Sequence, residues 1–136
     1  MLSYKLYNSI LIVFTSLMIV SCKQTPIATH LEEADKLIIQ FKEQNKIVKT
    51  VSTGDKAAIK KMVYALGKDE AKQKDCDING TMIFFKNDIE LQQVHFSSAP
   101  NCRFFNYQFQ NMNSFSAMTN ETANFLQSVK EGLDFY

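Results

Sequence analysis

Residues 81–109 read TMIFFKNDIELQQVHFSSAPNCRFFNYQF, and this stretch sets the class of fold. It contains three runs rich in aromatic and β-branched residues, the residue types that favour strands. Turn-forming segments separate the runs, Lys86-Asn87-Asp88 in one case and residues 97–101 in the other. The pattern predicts an antiparallel meander whose strands cover residues 81–85, 89–96 and 102–109.

The alternation of apolar and polar residues slips inside the middle run. The change falls between Leu91 and Val94, at Gln92-Gln93. We expect a β-bulge there, or burial of both faces of the strand. Residues 113–118 are a candidate fourth strand of the same sheet.

The segment before the meander begins with helical spacing. Residues 29–32, Thr-His-Leu-Glu, have the form of a capping box, in which a threonine and a glutamate satisfy the first free amides of a helix. Apolar residues then recur at intervals of three and four, which predicts a helix that ends near Asn45. A short β-branched run over residues 47–51 predicts a strand after it.

Two further helices are predicted. The apolar residues between Ala58 and Leu66 follow a helical period, and Gly67 is placed to end that helix in the left-handed conformation. The last helix should cover residues 120–132, with Thr119 or Asn120 as its cap. Its buried face should consist of Ala123, Leu126 and Val129.

Length and composition describe one ordinary globular domain. The chain has 136 residues, of which 46% are hydrophobic and 21% are charged, which excludes a disordered tail and a protein with many membrane spans. The element order predicts an α+β domain in which helices pack mainly on one face of an antiparallel sheet of three to five strands. The predicted boundaries are a cleaved signal over residues 1–21, a tether over 22–28 and a single domain over 29–136.

The N-terminus has the layout of an export signal. Lys5 precedes an apolar run over residues 9–20 that is too short to span a bilayer as a permanent helix. The run ends in Ile19-Val20-Ser21-Cys22, which resembles the lipobox of bacterial lipoproteins, with Ile19 where that family most often has leucine. An ordinary secretory signal followed by a coincidental cysteine is the alternative.

The resemblance covers about the first 22 residues and implies a lipid anchor. Cys22 would carry a diacylglycerol thioether, become the first residue of the mature chain and be acylated on its amine. Two or three acyl chains anchor a protein stably where a single chain is marginal. Lys23-Gln24 lack the aspartate that retains enterobacterial lipoproteins in the inner membrane, which favours an outer-membrane anchor with the domain in the periplasm or at the cell surface.

The charge balance excludes a nucleic-acid partner. Fifteen basic and 14 acidic residues give a formal net charge of +1, and the lysines are interleaved with aspartates and glutamates. A protein that binds nucleic acid needs a basic surface that releases phosphate counterions. The sequence predicts no such surface, and no polybasic patch for anionic lipid.

The remaining cysteines, Cys76 and Cys102, are predicted to form a disulfide. An exported domain folds in an oxidising compartment, where an even pair of cysteines usually bridges. Two buried free thiols, or a catalytic cysteine, are the alternative, although neither residue has a C-x-x-C spacing.

The segment from Asp75 to Gly80 matches the first half of an EF-hand calcium loop. It reads DCDING, with oxygen-bearing residues at alternate positions and a glycine for the sharp turn. The second half fails, because Lys86 stands where the loop needs a bidentate glutamate. We therefore predict no metal site and interpret Asp77 and Asn79-Gly80 as an ordinary turn into a strand.

The sequence contains no catalytic motif that we recognise and predicts no cofactor. His30 and His95 are its two histidines, which leaves little material for a histidine metal site or a catalytic triad. His95 could act as a base with Ser97 or Ser98, but no supporting nucleophile motif is present.

The aromatic residues of the last meander strand indicate a binding surface. Phe105, Tyr107 and Phe109 alternate on one face of that strand, and Phe104 lies on the other. If helices cover one sheet face, aromatic residues left on the other form an exposed apolar patch, which usually marks an interaction site. Core packing on both faces is the alternative.

These observations predict a lipid-anchored protein of the bacterial cell envelope. It would be a non-catalytic binding or interaction module whose sheet face or disulfide-bounded loop contacts a protein or glycan partner. An envelope inhibitor or immunity-type lipoprotein is one subclass. The alternative is a small periplasmic hydrolase or metal-dependent enzyme that uses His95 or the loop from Asp75 to Asn79.

Overall fold

A computed structural model describes residues 25–67, 69–72 and 75–133. Within them the chain forms an α+β fold, with helices packed against an antiparallel sheet. The helices are α1 (Pro26–His30), α2 (Lys56–Ala65) and α3 (Asn120–Glu131), and the strands are β1 (Lys36–Glu43), β2 (Lys46–Thr53), β3 (Gly80–Lys86), β4 (Ile89–Ala99), β5 (Cys102–Phe109) and β6 (Met112–Ala117).

The strands form a single sheet in the order β2-β1-β3-β4-β5-β6, and every neighbouring pair is antiparallel. Two-residue turns close three of the hairpins, and both residues of each turn have positive φ, as in type I′ turns. These turns are Gln44-Asn45, Asn87-Asp88 and Gln110-Asn111. The meander predicted over residues 81–109 is confirmed and continues into β6.

One face of the sheet and the three helices share a single hydrophobic core. We call this face, which carries Leu37, Met82 and Phe96, the helix side, and the opposite face the open face. The helices contribute the following buried residues: Ile27 and Ala28 from α1, Ile59, Met62 and Val63 from α2, and Ala123, Leu126 and Val129 from α3.

The caps of the two longer helices follow from the sequence. Asp55 accepts a hydrogen bond from the Ala58 amide at the start of α2, and Thr119 accepts from the Thr122 amide at the start of α3. Gly132 ends α3 with φ of 82°. The left-handed stop predicted at Gly67 is wrong, because Gly67 has no positive φ and a Cβ there would overlap the Thr25 side chain.

The helix predicted from residues 29–32 to Asn45 is also wrong. A short α1, capped by Thr25 with Pro26 in its first turn, ends at His30, and β1 follows. Leu37 and Phe41 are four residues apart, a spacing that suits one helix face and one strand face equally well. Pairing of β1 with both β2 and β3 selects the strand.

The sheet therefore has six strands rather than the predicted three to five, because β1 replaces the predicted first helix. Burial is also not confined to the helix side. On the open face, Thr81, Ser97 and Phe104 are 3%, 0% and 2% exposed. The slip predicted at Gln92-Gln93 is present as a register shift, in which Phe84 pairs with Gln92 and Phe85 with Glu90.

The packed part of the chain begins earlier than the domain start at residue 29. Ile27 and Ala28, which the sequence assigned to a tether over residues 22–28, are 2% and 4% exposed and belong to the core. The predicted signal over residues 1–21 and the lipidation site Cys22 lie outside the described residues. Among the helices that the structure does describe, none has the length and apolar character to cross a membrane.

Candidate binding surface and the disulfide-anchored loop

Cys76 and Cys102 form a disulfide, with their Cα atoms 6.1 Å apart, as the sequence predicted. Cys102 begins β5, so the bridge fastens the segment before β3 to the β4–β5 hairpin. By strand alternation the Cys102 side chain shares the open face with Phe104. The bridge therefore holds residues 75–79 beside the turn of this hairpin, on the open face of the sheet.

Asn79 fixes the same segment by hydrogen bonds. Its side-chain oxygen accepts from the Ser98 backbone amide at 3.1 Å. The backbone amide of Asn79 donates to the Phe96 carbonyl at 3.0 Å. Its carbonyl accepts from the Lys42 amide at 2.8 Å. The loop that ends at Asn79 is thus tied to β4 and to β1.

This geometry departs from an EF-hand. Gly80 and Lys86 are the two ends of β3, so six residues of extended chain, about 20 Å, separate the glycine from the position that should supply the bidentate ligand. Asn79 already uses its amide oxygen on Ser98. Within the described part of the chain, no group of three or more histidine, cysteine or carboxylate side chains is placed to hold a metal ion.

The open face carries a row of side chains in register across all six strands. Each member is the Cα partner of the next, and five of the six have groups that form hydrogen bonds. Because the strands are adjacent at about 4.8 Å, the row is roughly 24 Å long. From β2 to β6 this polar row consists of Thr50, Gln40, Thr81, His95, Asn106 and Phe115.

His95 lies in the middle of the polar row and is half-buried. Its Nδ1 is 3.0 Å from the Thr81 hydroxyl, which donates to the ring when the ring proton is on Nε2. Burial and, to a smaller extent, the Lys42 ammonium lower the pKa of His95. The neutral imidazole is therefore favoured and can accept or donate a hydrogen bond at the surface.

Within the described residues, the groups that the catalytic interpretation of His95 requires are not found beside its ring. None of the described hydrogen bonds or ion pairs joins His95 to a carboxylate. Ser97 shares the open face, but its hydroxyl is buried and has no partner among the described residues. His30 lies on the helix side, where its Nε2 is 3.3 Å from the Leu91 carbonyl.

The aromatic residues divide between the two faces. Phe105 and Tyr107 face the core of the helix side, whereas Phe104 is buried on the open face beside the half-buried Phe115, with ring centroids 6.1 Å apart. Phe85, also half-buried on the open face, lies under the Lys36 ammonium at 4.9 Å. The partly exposed aromatic residues of the open face are thus Phe115, at the β6 end of the polar row, and Phe85 to one side of it.

Sequence reasoning missed two clefts that open mainly on the helix side. One, of about 550 Å³, lies between α1 and α2 and is lined by Leu31, Ile59 and Tyr64 among others. The second, of about 490 Å³, lies at the β6 edge and includes Tyr107 and Ser116. The alternation of β5 and β6 could have indicated the second cleft, because it places Tyr107 and Ser116 on one face.

Comparison with known proteins gives no match. No protein-family model matches the chain, and no curated protein and no solved structure matches it. The function therefore has to be argued from the polar row, the disulfide-anchored loop and the sequence features of the N-terminus.

Proposed function

We propose that this chain is a lipid-anchored protein of the bacterial cell envelope and a non-catalytic binding module. Cys22 carries the lipid, the outer membrane is the favoured site of the anchor, and the domain faces the periplasm or the cell exterior. The open face binds the partner. The observation that carries the proposal is the polar row, which lies on the sheet face opposite the three helices.

The composition of the open face suits a partner with many hydrogen-bonding groups. The exposed and half-buried members of the row offer hydroxyl, amide and imidazole groups that both donate and accept, while the buried Thr81 holds the His95 ring. Phe115 at the end of the row and the half-buried Phe85 add aromatic surface, the residue type that is enriched in binding sites. A protein or a glycan provides such groups, whereas the near-neutral charge of the chain disfavours nucleic acid.

The disulfide supports the proposed location. Such bridges persist in exported proteins and are rare in the reducing cytoplasm. The Cys76–Cys102 bridge also holds a loop beside the binding face, so the partner would meet a surface that is already ordered. An inhibitor or immunity-type lipoprotein, which blocks an enzyme or toxin, is the subclass that such a preformed surface suits.

The alternative is a small periplasmic hydrolase with His95 as its base. The lowered pKa of His95 and its hydrogen bond to Thr81 favour this version. It also needs a nucleophile or a bound water beside His95, together with a group that orients the ring. A metal-dependent version would use the loop from Asp75 to Asn79.

Intact mass tests the proposed anchor and bridge. The protein is purified from its native membrane and weighed before and after reduction and alkylation. We expect the mass of a chain that starts at Cys22 with added acyl groups, and two thiols that become available only on reduction. An unprocessed chain with three free thiols would contradict the proposed location.

Site-specific photo-crosslinking in native cells tests the binding face. A photoreactive residue is placed at Gln40 or Asn106 of the polar row, and at the exposed Glu121 of α3 as the matched control. We expect discrete adducts from the two open-face positions and none from Glu121. Adducts from Glu121 alone would place the partner on the helices and refute the proposed face.

A further inference from the structure

The cleft at the β6 edge opens mainly on the helix side, and Phe115, the last member of the polar row, also lines it at the sheet edge. Four segments bound it, which are the start of α1, the end of α2, residues 69–71 and the β5–β6 hairpin. Its volume of about 490 Å³ falls in the range of small-molecule sites. Binding in this cleft does not require that the open face binds a partner, because most of the lining residues lie on the helix side or outside the sheet.

Backbone pairing fixes the acidic wall of the cleft. The Ala71 amide donates to the Phe115 carbonyl at 3.0 Å, and the Ala117 amide donates to the Asp69 carbonyl at 2.8 Å. Glu70 thereby stands opposite Ser116 in an antiparallel bridge. Residues 69–71 thus run antiparallel beside β6, with Asp69 and Glu70 exposed.

Ser116 is a buried polar group without a partner. It is 4% exposed and lines the cleft, and its hydroxyl forms no hydrogen bond with any described residue. A buried hydroxyl left unsatisfied costs free energy, so a group that completes its hydrogen bonding would be stabilised there. Ser114 lies two residues away on the same face of β6 and also lines the cleft.

Tyr107 adds a phenol to the same wall. It is 9% exposed, and its neighbour on β6 is Ser114. Burial raises the pKa of Tyr107, and the negative charge of Glu70 raises it further. Tyr107 and Glu70 line the same cleft, so it contains both a phenol and a carboxylate.

The described residues that line the cleft include two acids, Asp69 and Glu70, and no basic residue. Neither acid belongs to an ion pair within the described part of the chain. The remaining wall is largely apolar and contains Ile27, Phe109 and Met112. The site thus combines a negative, hydroxyl-rich end with a hydrophobic one.

We propose that this cleft binds a primary amine that carries an apolar body. An ammonium group has three donors, which match the Glu70 carboxylate and the hydroxyl oxygens of Ser116 and Tyr107. The apolar body then packs against Ile27 and Met112, with the hydrophobic gain that removal from water provides.

Three probes of one size test the ligand chemistry. The purified protein, labelled with ¹⁵N, is titrated with hexylamine, hexanol and hexanoate, and the amide shifts of Ser114 and Ser116 are followed by NMR. We expect saturable shifts with hexylamine and at least tenfold weaker binding of hexanol. Equal binding of all three probes, or a preference for hexanoate, would overturn the proposal.

Substitutions then locate the bound amine. Ser116→Ala should weaken hexylamine binding about three- to tenfold, the effect of one hydrogen bond, and Glu70→Gln should weaken it about tenfold. Ser97→Ala is the matched control, because Ser97 is likewise a buried serine whose hydroxyl has no partner among the described residues, and it lies on the open face. Unchanged affinity in both cleft variants, or equal loss in Ser97→Ala, would overturn the proposed site.

Discussion

The Phe96 ring lies directly over Gly80 in this core. It is the register partner of Phe96, and a Cβ at Gly80 would lie inside the Phe96 ring. That ring is fully buried and packs edge-to-face against Phe41, with centroids 6.1 Å apart. The sequence indicated a turn at Asn79-Gly80, but the actual requirement is space for an aromatic ring.

We predict that Gly80→Ala destabilises the fold by about 1–3 kcal/mol, the usual cost of overfilling a packed core. The reason is that Phe96 must leave its position against Phe41. Urea denaturation measures the change in the free energy of unfolding. Gly54→Ala is the matched control, since its Cβ would meet only the Asp35 carbonyl at 3.6 Å. Equal stability of the two variants would contradict the proposed clash with Phe96.

His95 makes stability depend on pH. Its pKa in the folded state is lowered by burial and by Lys42, so the unfolded chain binds a proton more readily. The stabilisation is present above the unfolded pKa of about 6.5 and is lost as pH falls through the folded pKa. We expect the urea midpoint to fall between pH 7.5 and pH 5.5, and to fall less in His95→Gln.

An NMR titration of the His95 ring measures its pKa in the folded state directly. Lys42→Gln should raise the pKa of His95 only partway to its ordinary value, because burial, the larger cause, remains. A His95→Gln variant with the full wild-type pH dependence would show that other groups are responsible.

At the scale of elements, α1 is the helix whose bounds were predicted wrongly from the sequence. Its residues were divided between a tether and a longer helix, although Ile27 and Leu31 are 2% and 1% exposed in the core. Thr25 caps α1 and also packs against Gly67 beyond the end of α2. This contact between distant segments has no local signal in the sequence.

We predict that Ile27→Ala lowers the free energy of unfolding by about 2–5 kcal/mol, as expected for a buried isoleucine. A tether residue would tolerate the change. Chemical denaturation of the purified protein measures the effect, and Pro26→Ala, at an exposed position of the same helix, is the control. A change below about 0.5 kcal/mol in Ile27→Ala would mean that α1 does not stabilise the domain.

The elements that could be predicted are those whose signal is local. The strands of the meander, α2 and α3 have a clear period, and their caps at Asp55 and Thr119 follow known preferences. The identity of β1 could not be predicted, because the spacing of Leu37 and Phe41 fits two periods. Its pairing with β3, whose partners lie 39 to 49 residues later in the chain, selects one of them.

At the scale of the whole molecule, the alignment of the polar row also depends on long-range strand pairing. Thr50 and Gln40 precede α2, whereas the other members follow it, and only the insertion of β1 between β2 and β3 aligns them. The sequence indicated that one sheet face would be left for binding. It could not show which side chains lie in register there, because that depends on long-range pairing.

The Cys76–Cys102 bridge acts on the whole molecule through the unfolded state. The two residues are 26 positions apart, and closing a loop of that size removes conformational entropy from the unfolded chain. We predict that the double variant Cys76→Ser, Cys102→Ser has a free energy of unfolding that is lower by about 3–4 kcal/mol. Its m-value should rise, because the unbridged unfolded chain exposes more surface.

Hydrogen exchange separates this entropic effect from a loss of folded structure. The amides of Asn79 and Ser98 are bonded independently of the bridge, so they should stay protected in the double variant under native conditions. Wild-type protein in a reducing buffer should behave as the variant does. If both amides instead exchange freely while the global stability is unchanged, the bridge serves only to hold the loop, and the binding face beside it depends on an oxidising environment.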